Sequence, residues 1–316
     1  MPVVVLSHPL ADATAGEYLA ARTDVRLPSD DSQIAFVNQV HDADAVIIRA
    51  PARLNDSALV AAPRLRVVAN IGAGIDHIDT TALDSRGIEL LIGTGANADA
   101  VAEWVIWALL SLSRRFDHAA AFADGAEQAW ATRIAALRGT ETAGGVLGVI
   151  GFGHIGRSVA RMARQGLGLR VAVFDPALQT TTDDVDIFCP NVVALLDIAD
   201  AVTVHVPLTE STRGLIGDAE LRHLGSEGIL LNSSRGGVVD ESALISALRD
   251  HRLRGAAIDV FDAEPPTAQR LHELAGVPRL LITPHIAGIS DQAGSAFAWA
   301  AVRGVLRALG QENRPS

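Results

Sequence analysis

Cysteine is almost absent from this chain of 316 residues: Cys189 is its one thiol, so neither a disulfide within the chain nor a cysteine-based zinc cluster is available. We therefore expect no structural metal, and a reducing compartment, the cytoplasm. Aromatic residues are also scarce, at 4%, yet 49% of the residues are hydrophobic. The core must be aliphatic, and it is large enough to exclude disorder as the main state.

Positive charge is the second shortage. Asp and Glu outnumber Lys and Arg by 37 to 26, which gives a formal net charge of -11. This balance argues against nucleic acids and anionic membranes as partners. The most apolar helical segment, residues 100–113, is interrupted by Glu103 and is shorter than the roughly 20 residues that span a bilayer. We expect a core helix there, with Trp104 and Trp107 as packing residues.

Short runs of Val, Ile and Leu alternate with helix-length segments along the chain, as in parallel sheets covered by helices on both faces. The length favours two domains. The strands predicted for the first part are 3–7, 24–27, 45–49, 65–70 and 88–92. The strands predicted for the second part are 145–150, 169–175, 201–206, 228–233, 255–261 and 280–285. Six strands make a full dinucleotide-binding sheet, and a long helix over 99–116 precedes them.

The glycine-rich segment GVIGFGHIG, residues 148–156, connects a predicted strand to a predicted helix. Gly151 permits the turn, Gly153 lets the backbone approach a pyrophosphate, and Gly156 allows the helix to pack closely on the strand. Asp175 ends the next strand, where its carboxylate would accept the adenosine-ribose hydroxyls and repel a 2'-phosphate. The pattern favours NAD over NADP unless an arginine lies nearby; the alternative is an ordinary turn and a strand-end aspartate.

Three polar residues follow later strands at the edge where open parallel sheets bind ligands: Arg235, Glu264 and His285. Hydride transfer to or from an alcohol needs a proton donor and acceptor, a group that orients it, and a cation for a substrate carboxylate. These residue types supply those parts. Taken singly, each residue also has an interpretation without catalysis: Arg235 as a surface arginine, Glu264 as a loop acid and His285 as a core histidine.

Six segments together resemble the D-2-hydroxyacid dehydrogenase family, which includes phosphoglycerate and glycerate dehydrogenases. They are NIGAGIDHID, GVIGFGHIG, HVPLTESTRGLI, NSSRGGVVDESAL, DVFDAEP and TPHIAG. The resemblance implies an α/β fold of two doubly wound parallel-sheet domains. A Rossmann NAD-binding domain over 97–288 is inserted into a flavodoxin-like substrate domain formed by 1–96 and 289–316. A homodimer or higher homo-oligomer is also implied.

The resemblance assigns roles to particular side chains. His285 is expected to act as general acid in reduction and base in oxidation, with Glu264 hydrogen-bonded to it and Arg235 on the substrate's carboxylate and keto oxygen. Asp259 is expected at the nicotinamide carboxamide. The remaining expected cofactor contacts are His205 and Pro207 beside the adenine, and His154, Ile155, Ser234 and Gly288.

The first domain carries a candidate substrate site in its IGAGIDHID segment. Gly72, Ala73 and Gly74 follow a predicted strand, and their backbone N–H groups could form a nest for a carboxylate. The alternative reading is a plain glycine turn.

Arg49 occupies the place where phosphoglycerate dehydrogenases carry an arginine, but the segment here reads RAPAR, without the family's hydroxyl residues. We expect Arg49 to bind a second anion of the substrate, whether phosphate, sulfonate or carboxylate. Arg53 and Arg133 are weaker candidates for the same role, with solvated surface charge as their alternative.

These features predict an NAD-dependent enzyme that interconverts a small 2-hydroxy acid and its 2-keto acid, the substrate being phosphoglycerate-like in carrying a second anion. Reduction of hydroxypyruvate or glyoxylate is the alternative within that class. An NAD-sensing, corepressor-like scaffold is the alternative of another class, because corepressors built on this fold also keep the catalytic residue types.

Overall fold

The computed structural model describes residues 1–116, 126–178 and 184–312, and its contacts divide the chain into two compact units. Unit 1 comprises residues 1–97 and the chain from 289 onward, and unit 2 comprises residues 98–288. The part of the chain from residue 289 onward thus belongs with the N-terminal part.

The strands are β1 (Val3–Leu6), β2 (Asp24–Arg26), β3 (Ala45–Ile48), β4 (Val67–Asn70), β5 (Glu89–Ile92), β6 (Val146–Ile150), β7 (Arg170–Phe174), β8 (Ile187–Phe188), β9 (Ala201–Val204), β10 (Ile229–Asn232), β11 (Gly255–Ile258) and β12 (Leu280–Ile282). The helices are α1 (Ala13–Ala20), α2 (Gln33–Gln39), α3 (Asp56–Val60), α4 (Thr80–Ser85), α5 (Ala98–Arg114), α6 (Ala126–Leu137), α7 (His154–Leu167), α8 (Val192–Leu196), α9 (Asp218–Leu224), α10 (Glu241–Arg249), α11 (Ala268–Ala275) and α12 (Asp291–Ala308). A short 3₁₀ helix, Val40–Asp42, follows α2.

Unit 1 is a five-stranded parallel sheet of order β2-β1-β3-β4-β5, the flavodoxin-like doubly wound arrangement. Its central strands are buried on both faces, and this explains why they read as unbroken aliphatic runs. Helices α1 and α12 cover one face, and one of the unit's two aliphatic clusters lies beneath them. The other cluster, with Phe36, Leu59 and Leu83 from α2, α3 and α4, covers the opposite face.

Side-chain caps start several of these helices and account for their boundaries. Asp12 accepts from the backbone N–H groups of Thr14 and Ala15 at the start of α1, and Ser32 accepts from Ala35 at the start of α2. Such caps satisfy N–H groups that have no partner inside the helix.

Unit 2 is a seven-stranded parallel sheet of order β12-β11-β10-β9-β6-β7-β8. Read from β8, with β6 counted as strand 1, this is the Rossmann order 3-2-1-4-5-6. Strand β12 is added at the opposite edge. The sequence predicted six strands, so that number was wrong by one. The missing strand is β8, Ile187–Phe188, which pairs with β7 over two residues and is too short to produce a hydrophobic pattern.

Helix α5 confirms the expected core helix, but one of its two tryptophans does not pack as expected. Trp104 is buried and donates from Nε1 to Thr283 Oγ1 at 3.0 Å, whereas Trp107 is 48% exposed. The expectation that both are core residues was therefore wrong for Trp107, whose ring lies at the edge of the core with its centroid 6.2 Å from that of Trp104. None of the helices in the described ranges combines the length and apolarity that a bilayer crossing requires.

Candidate active site

The glycine loop of unit 2 joins β6 to α7 and leaves no room for side chains at two of its positions. Gly151 has φ +90°, and a Cβ there would lie 2.5 Å from the carbonyl oxygen of His205. A Cβ on Gly156 would lie 2.2 Å from the carbonyl oxygen of Gly151. Real Cβ contacts are never this short, so both positions require glycine for the loop to sit between β6, β9 and α7.

The third glycine of the loop faces open space instead. Gly153 is the N-cap of α7, and within the described part of the chain no side chain caps the helix and no atom lies within 4 Å of where its Cβ would be. No acidic residue occupies the first turn of this 14-residue helix, which includes His154 and Ile155. The first N–H groups of the helix and its dipole are therefore available to an anion. This loop fits the pyrophosphate of a dinucleotide.

Asp175 lies beside the glycine loop, directly after β7. One carboxylate oxygen accepts from the N–H of Phe152 at 2.6 Å, and the other accepts from Ala177 at 2.8 Å. These bonds hold the carboxylate at the carboxyl end of β7, where the ribose of a dinucleotide is recognised in this fold.

His205 follows β9, next to the glycine loop, and Pro207 comes two residues later. The Nε2 atom of His205 lies 2.9 Å from Thr203 Oγ1, and its Nδ1 atom is buried. Burial lowers the pKa of His205 to about 3. The imidazole is therefore neutral at physiological pH.

The three predicted catalytic residues follow three consecutive strands of the unit 2 sheet. Arg235 follows β10, Glu264 follows β11 and His285 follows β12. The structure brings Glu264 and His285 into direct contact, with 2.7 Å between Oε2 and Nδ1. The other carboxylate oxygen of Glu264 accepts from the N–H of Phe261 at 3.1 Å. The imidazole is held at Nδ1, and its side chain is half-exposed.

The loop that carries Arg235 contacts the loop that carries Glu264. Gly237 donates its N–H to Asp262 at 2.9 Å, and a Cβ on Gly236 would overlap the carbonyl oxygen of Phe261 at 1.8 Å. The guanidinium of Arg235 donates to the carbonyl of Ser234 at 2.6 Å. The two loops are thus fixed side by side at the sheet edge.

Asn232 is a site residue that the sequence reasoning missed. It is 2% exposed; its amide oxygen accepts from the N–H and hydroxyl of Ser234, and its Nδ2 donates to the carbonyl of Arg235. A buried amide that bonds both sides of a turn fixes the turn's conformation. The signal was present in the segment NSSRG, where asparagine is the last residue of an otherwise aliphatic strand.

Asp259 has a structural task beyond the cofactor contact predicted for it. Its buried carboxylate accepts from the N–H groups of Ile286 and Ala287 at 2.9 and 2.8 Å, and from the hydroxyl of Thr283. These bonds surround His285, whose φ of +56° lies in the left-handed region that few residues other than glycine adopt. Gly288 ends the same segment. Asp259 therefore fixes the turn that presents the imidazole.

In unit 1, the predicted nest lies directly after β4. Asn70 donates from Nδ2 to the carbonyl oxygens of Gly72 and Gly74 at 2.8 and 2.9 Å. Within the described part of the chain, the N–H groups of Gly72, Ala73 and Gly74 have no protein acceptor. Because Asn70 turns the carbonyls inward, the loop is suited to bind a carboxylate through its N–H groups. Asn70 was also missed.

Arg49 directly follows β3 in unit 1 and is exposed to solvent. Of the weaker candidates, Arg53 has its backbone held by Gln33, and Arg133 stacks on the Trp130 ring at 3.9 Å. Among the described side chains, no three His, Cys, Asp or Glu groups come together as a potential metal site.

Comparison with known proteins agrees with this geometry. The family model described as D-isomer specific 2-hydroxyacid dehydrogenase, NAD binding domain, matches residues 106–287. The (S)-sulfolactate dehydrogenase of Chromohalobacter salexigens is 40% identical over 272 residues, which cover 84% of each chain. The chain belongs to the D-isomer specific 2-hydroxyacid dehydrogenase family. It is an NAD-dependent oxidoreductase that acts on the CH–OH group of a 2-hydroxy acid or on the corresponding 2-keto acid.

Two further matches describe the range of relatives. The D-3-phosphoglycerate dehydrogenase of Mycobacterium leprae is 34% identical over 304 residues, covering 94% of this chain but 56% of that protein. The chain thus spans little more than half of that longer relative. A crystal structure of a protein from Thermus thermophilus has a TM-score of 0.86 and 31% identity, with 99% of each chain covered.

Proposed function

We propose that this enzyme interconverts a 2-hydroxy acid that carries a second anionic group and its 2-keto acid, with His285, Glu264 and Arg235 as the catalytic residues. The assignment of these residues rests on the 2.7 Å contact between His285 Nδ1 and Glu264 Oε2, which lies beside the loop of Arg235. When bound, NAD supplies the hydride acceptor or donor, and the protein residues handle the proton and the substrate's charge.

His285 exchanges a proton with the substrate oxygen through Nε2, because its Nδ1 is already engaged by Glu264. A carboxylate at Nδ1 fixes the orientation of the ring and places a negative charge beside it. The guanidinium of Arg235 binds the substrate carboxylate and polarises the carbonyl that receives hydride. His285 is thus the general acid or base, Glu264 orients it, and Arg235 is the electrophile.

The cofactor is held by the glycine loop and the strand ends around it. The loop residues Gly151, Gly153, His154, Ile155 and Gly156 bind the pyrophosphate, and Asp175 accepts the ribose hydroxyls. Adenine lies beside His205 and Pro207. Ser234, Asp259 and Gly288, on the turns that present Arg235 and His285, contact the nicotinamide side.

Arg49 binds the second anion, and the N–H groups of Gly72, Ala73 and Gly74 bind a carboxylate. The lack of protein acceptors for those N–H groups within the described residues supports the second assignment. The similarity to a sulfolactate dehydrogenase and to phosphoglycerate dehydrogenases supports the first, since both names denote substrates with a second anionic group.

A panel of 2-keto acids tests the proposal through the loss of NADH absorbance. We expect turnover with acids that carry a second anion, at higher kcat/KM than with glyoxylate or hydroxypyruvate, and a loss of turnover in Arg235→Ala. Arg49→Ala should raise KM for the doubly anionic acids by about tenfold, as for loss of a charge-assisted bond, and raise it less for glyoxylate.

The other outcomes identify the alternatives. A preference for hydroxypyruvate or glyoxylate that Arg49→Ala does not alter would make the protein a reductase of those acids. NADH binding without turnover of any acid would support a nucleotide-sensing scaffold.

We also propose a cytoplasmic homodimer. The single buried thiol, Cys189, suits a reducing compartment. Trp130 and Ile134, both exposed on α6, supply apolar surface of the kind that self-association covers. Light scattering of the purified chain measures its mass; a monomer at micromolar concentration would contradict the dimer.

A further inference from the structure

The unit 1 sheet has its own topological switch point, between β1 and β3. The order β2-β1-β3-β4-β5 places β2 on one side of β1 and all later strands on the other. Connections leave β1 and β3 toward opposite sides, so a crevice opens outside their carboxyl ends, and ligands of doubly wound sheets bind in such crevices. The glycine loop of unit 2 occupies the corresponding place in the other sheet, between β6 and β9.

His8 and Arg49 are the first ionisable residues after β1 and β3, and Ser7 lies between β1 and His8. The two strands are parallel and in register, with Leu6 opposite Ile47. Ser7 continues the pairing by donating its N–H to the carbonyl of Ile47 at 2.9 Å. His8 and Arg49 therefore lie side by side at the sheet edge, next to the loop of Gly72–Gly74 that follows β4.

Ser7 sets the orientation and the tautomer of the His8 ring. Its Oγ accepts the backbone N–H of Arg49 at 3.0 Å and lies 2.9 Å from Nδ1 of His8. Among the described residues Nδ1 is the one acceptor within reach of the Ser7 hydroxyl, so its proton is directed to Nδ1. A neutral imidazole that accepts at Nδ1 carries its proton on Nε2. His8 thus presents an N–H donor on the side away from Ser7.

The ring is neutral at physiological pH because of its surroundings. His8 is 9% exposed. Burial, and then the positive charge of Arg49, lower the pKa of His8, while the Asp31 carboxylate acts in the opposite direction. Of the described residues at these two strand ends, Arg49 therefore offers a guanidinium charge and His8 a neutral donor, with the Asp31 carboxylate near the same imidazole.

We propose that His8 is a specificity-determining residue that donates its Nε2–H to the distal group of the substrate at Arg49, and that this distal group is a monoanion, a sulfonate or a carboxylate. The inference rests on the proposed function of Arg49 and goes further by assigning a second ligand and a charge to the distal group.

The charge assignment follows from the groups available. A phosphate monoester carries about 1.5 to 2 negative charges at pH 7, so one guanidinium and a neutral imidazole leave part of that charge unpaired. Unpaired charge next to a largely buried imidazole is costly. The residues after Arg49, Ala50 to Ala52, add no side-chain hydroxyl or cation. A sulfonate or carboxylate matches the single guanidinium charge.

Two substitutions of His8 separate its donor from its structural contact. In His8→Asn the amide can still bond Ser7 but does not reach as far as Nε2, whereas in His8→Gln the longer amide replaces the Nε2–H donor. We expect His8→Asn to raise KM for 3-sulfopyruvate about tenfold more than KM for glyoxylate, as for loss of a hydrogen bond to a charged group. We expect His8→Gln to restore most of that difference with kcat little changed. His41→Asn, an exposed histidine in the same unit, is the matched control.

The same assay includes oxaloacetate and 3-phosphohydroxypyruvate for the charge of the distal group. We expect kcat/KM at pH 7.5 to be at least about tenfold higher for the better of the two monoanionic tails than for the phosphate tail, the factor expected for one unpaired charge. A preference for the phosphate tail, or an equal effect of His8→Asn on all acids including glyoxylate, would overturn the inference. If Arg49→Ala is selective and His8→Asn is not, only the role of His8 fails; if neither is selective, the proposed function of Arg49 fails as well.

Discussion

At the scale of single residues, the proposed chemistry depends on a carboxylate held against an imidazole. Glu264 bonds His285 through Oε2 and is itself fixed through Oε1 by the N–H of Phe261. A carboxylate anchored at one oxygen cannot turn away from its partner without losing a hydrogen bond. The proline that follows, Pro265, continues the same segment, DVFDAEP.

Glu264→Gln is expected to lower kcat by about 10- to 100-fold, within the range that acid–base catalysis contributes. The amide keeps the shape of the side chain but removes the negative charge that lies beside the imidazole. Steady-state kinetics with the best acid of the panel measure kcat, and fluorescence titration measures the Kd for NADH, which should change less than about threefold, because the carboxylate acts on the proton and not on the dinucleotide.

Glu273→Gln supplies the control for this prediction. Glu273 lies on α11 of the same unit and pairs at the surface with Arg270 and Gln269. Its loss should leave kcat unaltered. An unchanged kcat in Glu264→Gln would show that the carboxylate does not assist His285.

At the scale of secondary-structure elements, the approach of α7 to β6 determines whether the glycine loop can form. Gly156 lies in the first turn of α7, where a Cβ would be 2.2 Å from the carbonyl oxygen of Gly151 and 3.2 Å from Val149 Cγ1. The nearest obstacle is backbone, which cannot rotate aside. A methyl group must therefore push the helix away from the strand or distort the loop.

Gly156→Ala is accordingly expected to raise the Kd for NADH at least about tenfold, since a shift of the loop breaks several phosphate contacts at once. Isothermal titration calorimetry measures the affinity. The prediction concerns cofactor binding and holds whichever acid is the substrate.

The same helix offers a matched substitution. Gly166 also lies in α7, and no atom of the described residues lies within 4 Å of where its Cβ would be. Gly166→Ala should retain NADH affinity and stabilise the helix by up to about 1 kcal/mol, the difference in helix propensity. Equal NADH affinity in the two variants would refute the steric argument.

At the scale of the whole molecule, buried neutral histidine makes stability depend on pH. Burial lowers the pKa of His205 to about 3 in the folded protein, against an ordinary value near 6.5 in the unfolded chain. Between these values the unfolded chain binds the proton and the folded one does not. The free energy of unfolding is therefore highest above pH 6.5 and falls as the pH decreases toward 3.

From pH 7 to pH 5, this single group is expected to remove about 2 kcal/mol from the free energy of unfolding. Urea denaturation followed by circular dichroism at the two pH values measures the loss. In His205→Asn the loss should be smaller by that amount, even if the variant is less stable at both pH values.

His272→Asn, which alters an exposed histidine of α11, should show the same pH-dependent loss as the unaltered protein. If His205→Asn also shows it, the pH dependence comes from other groups. His8 and His77, whose pKa values burial also lowers, would then be the next candidates.

The amino-acid sequence by itself determined the fold class, the glycine loop of the dinucleotide-binding unit and the types of residue that follow β10, β11 and β12. Aliphatic runs indicated buried parallel strands because β-strands covered on both faces have no polar side. Gly151 and Gly156 were identifiable because their spacing reflects a local turn and a helix-to-strand contact. Such features depend on residues near one another in the chain, and their signal is therefore visible in the sequence.

Only the tertiary structure showed β8, the exposure of Trp107, and the polar side chains that fix the turns. Asn70, Asn232 and Asp259 act through hydrogen bonds whose partners are set by the fold, and a lone polar residue in a sequence does not show what it bonds. The adjacency of His8 and Arg49 arises because the crossover through β2 makes β1 and β3 neighbours. The placement of residues 41 positions apart at neighbouring strand ends is decided by strand order, which no local pattern encodes.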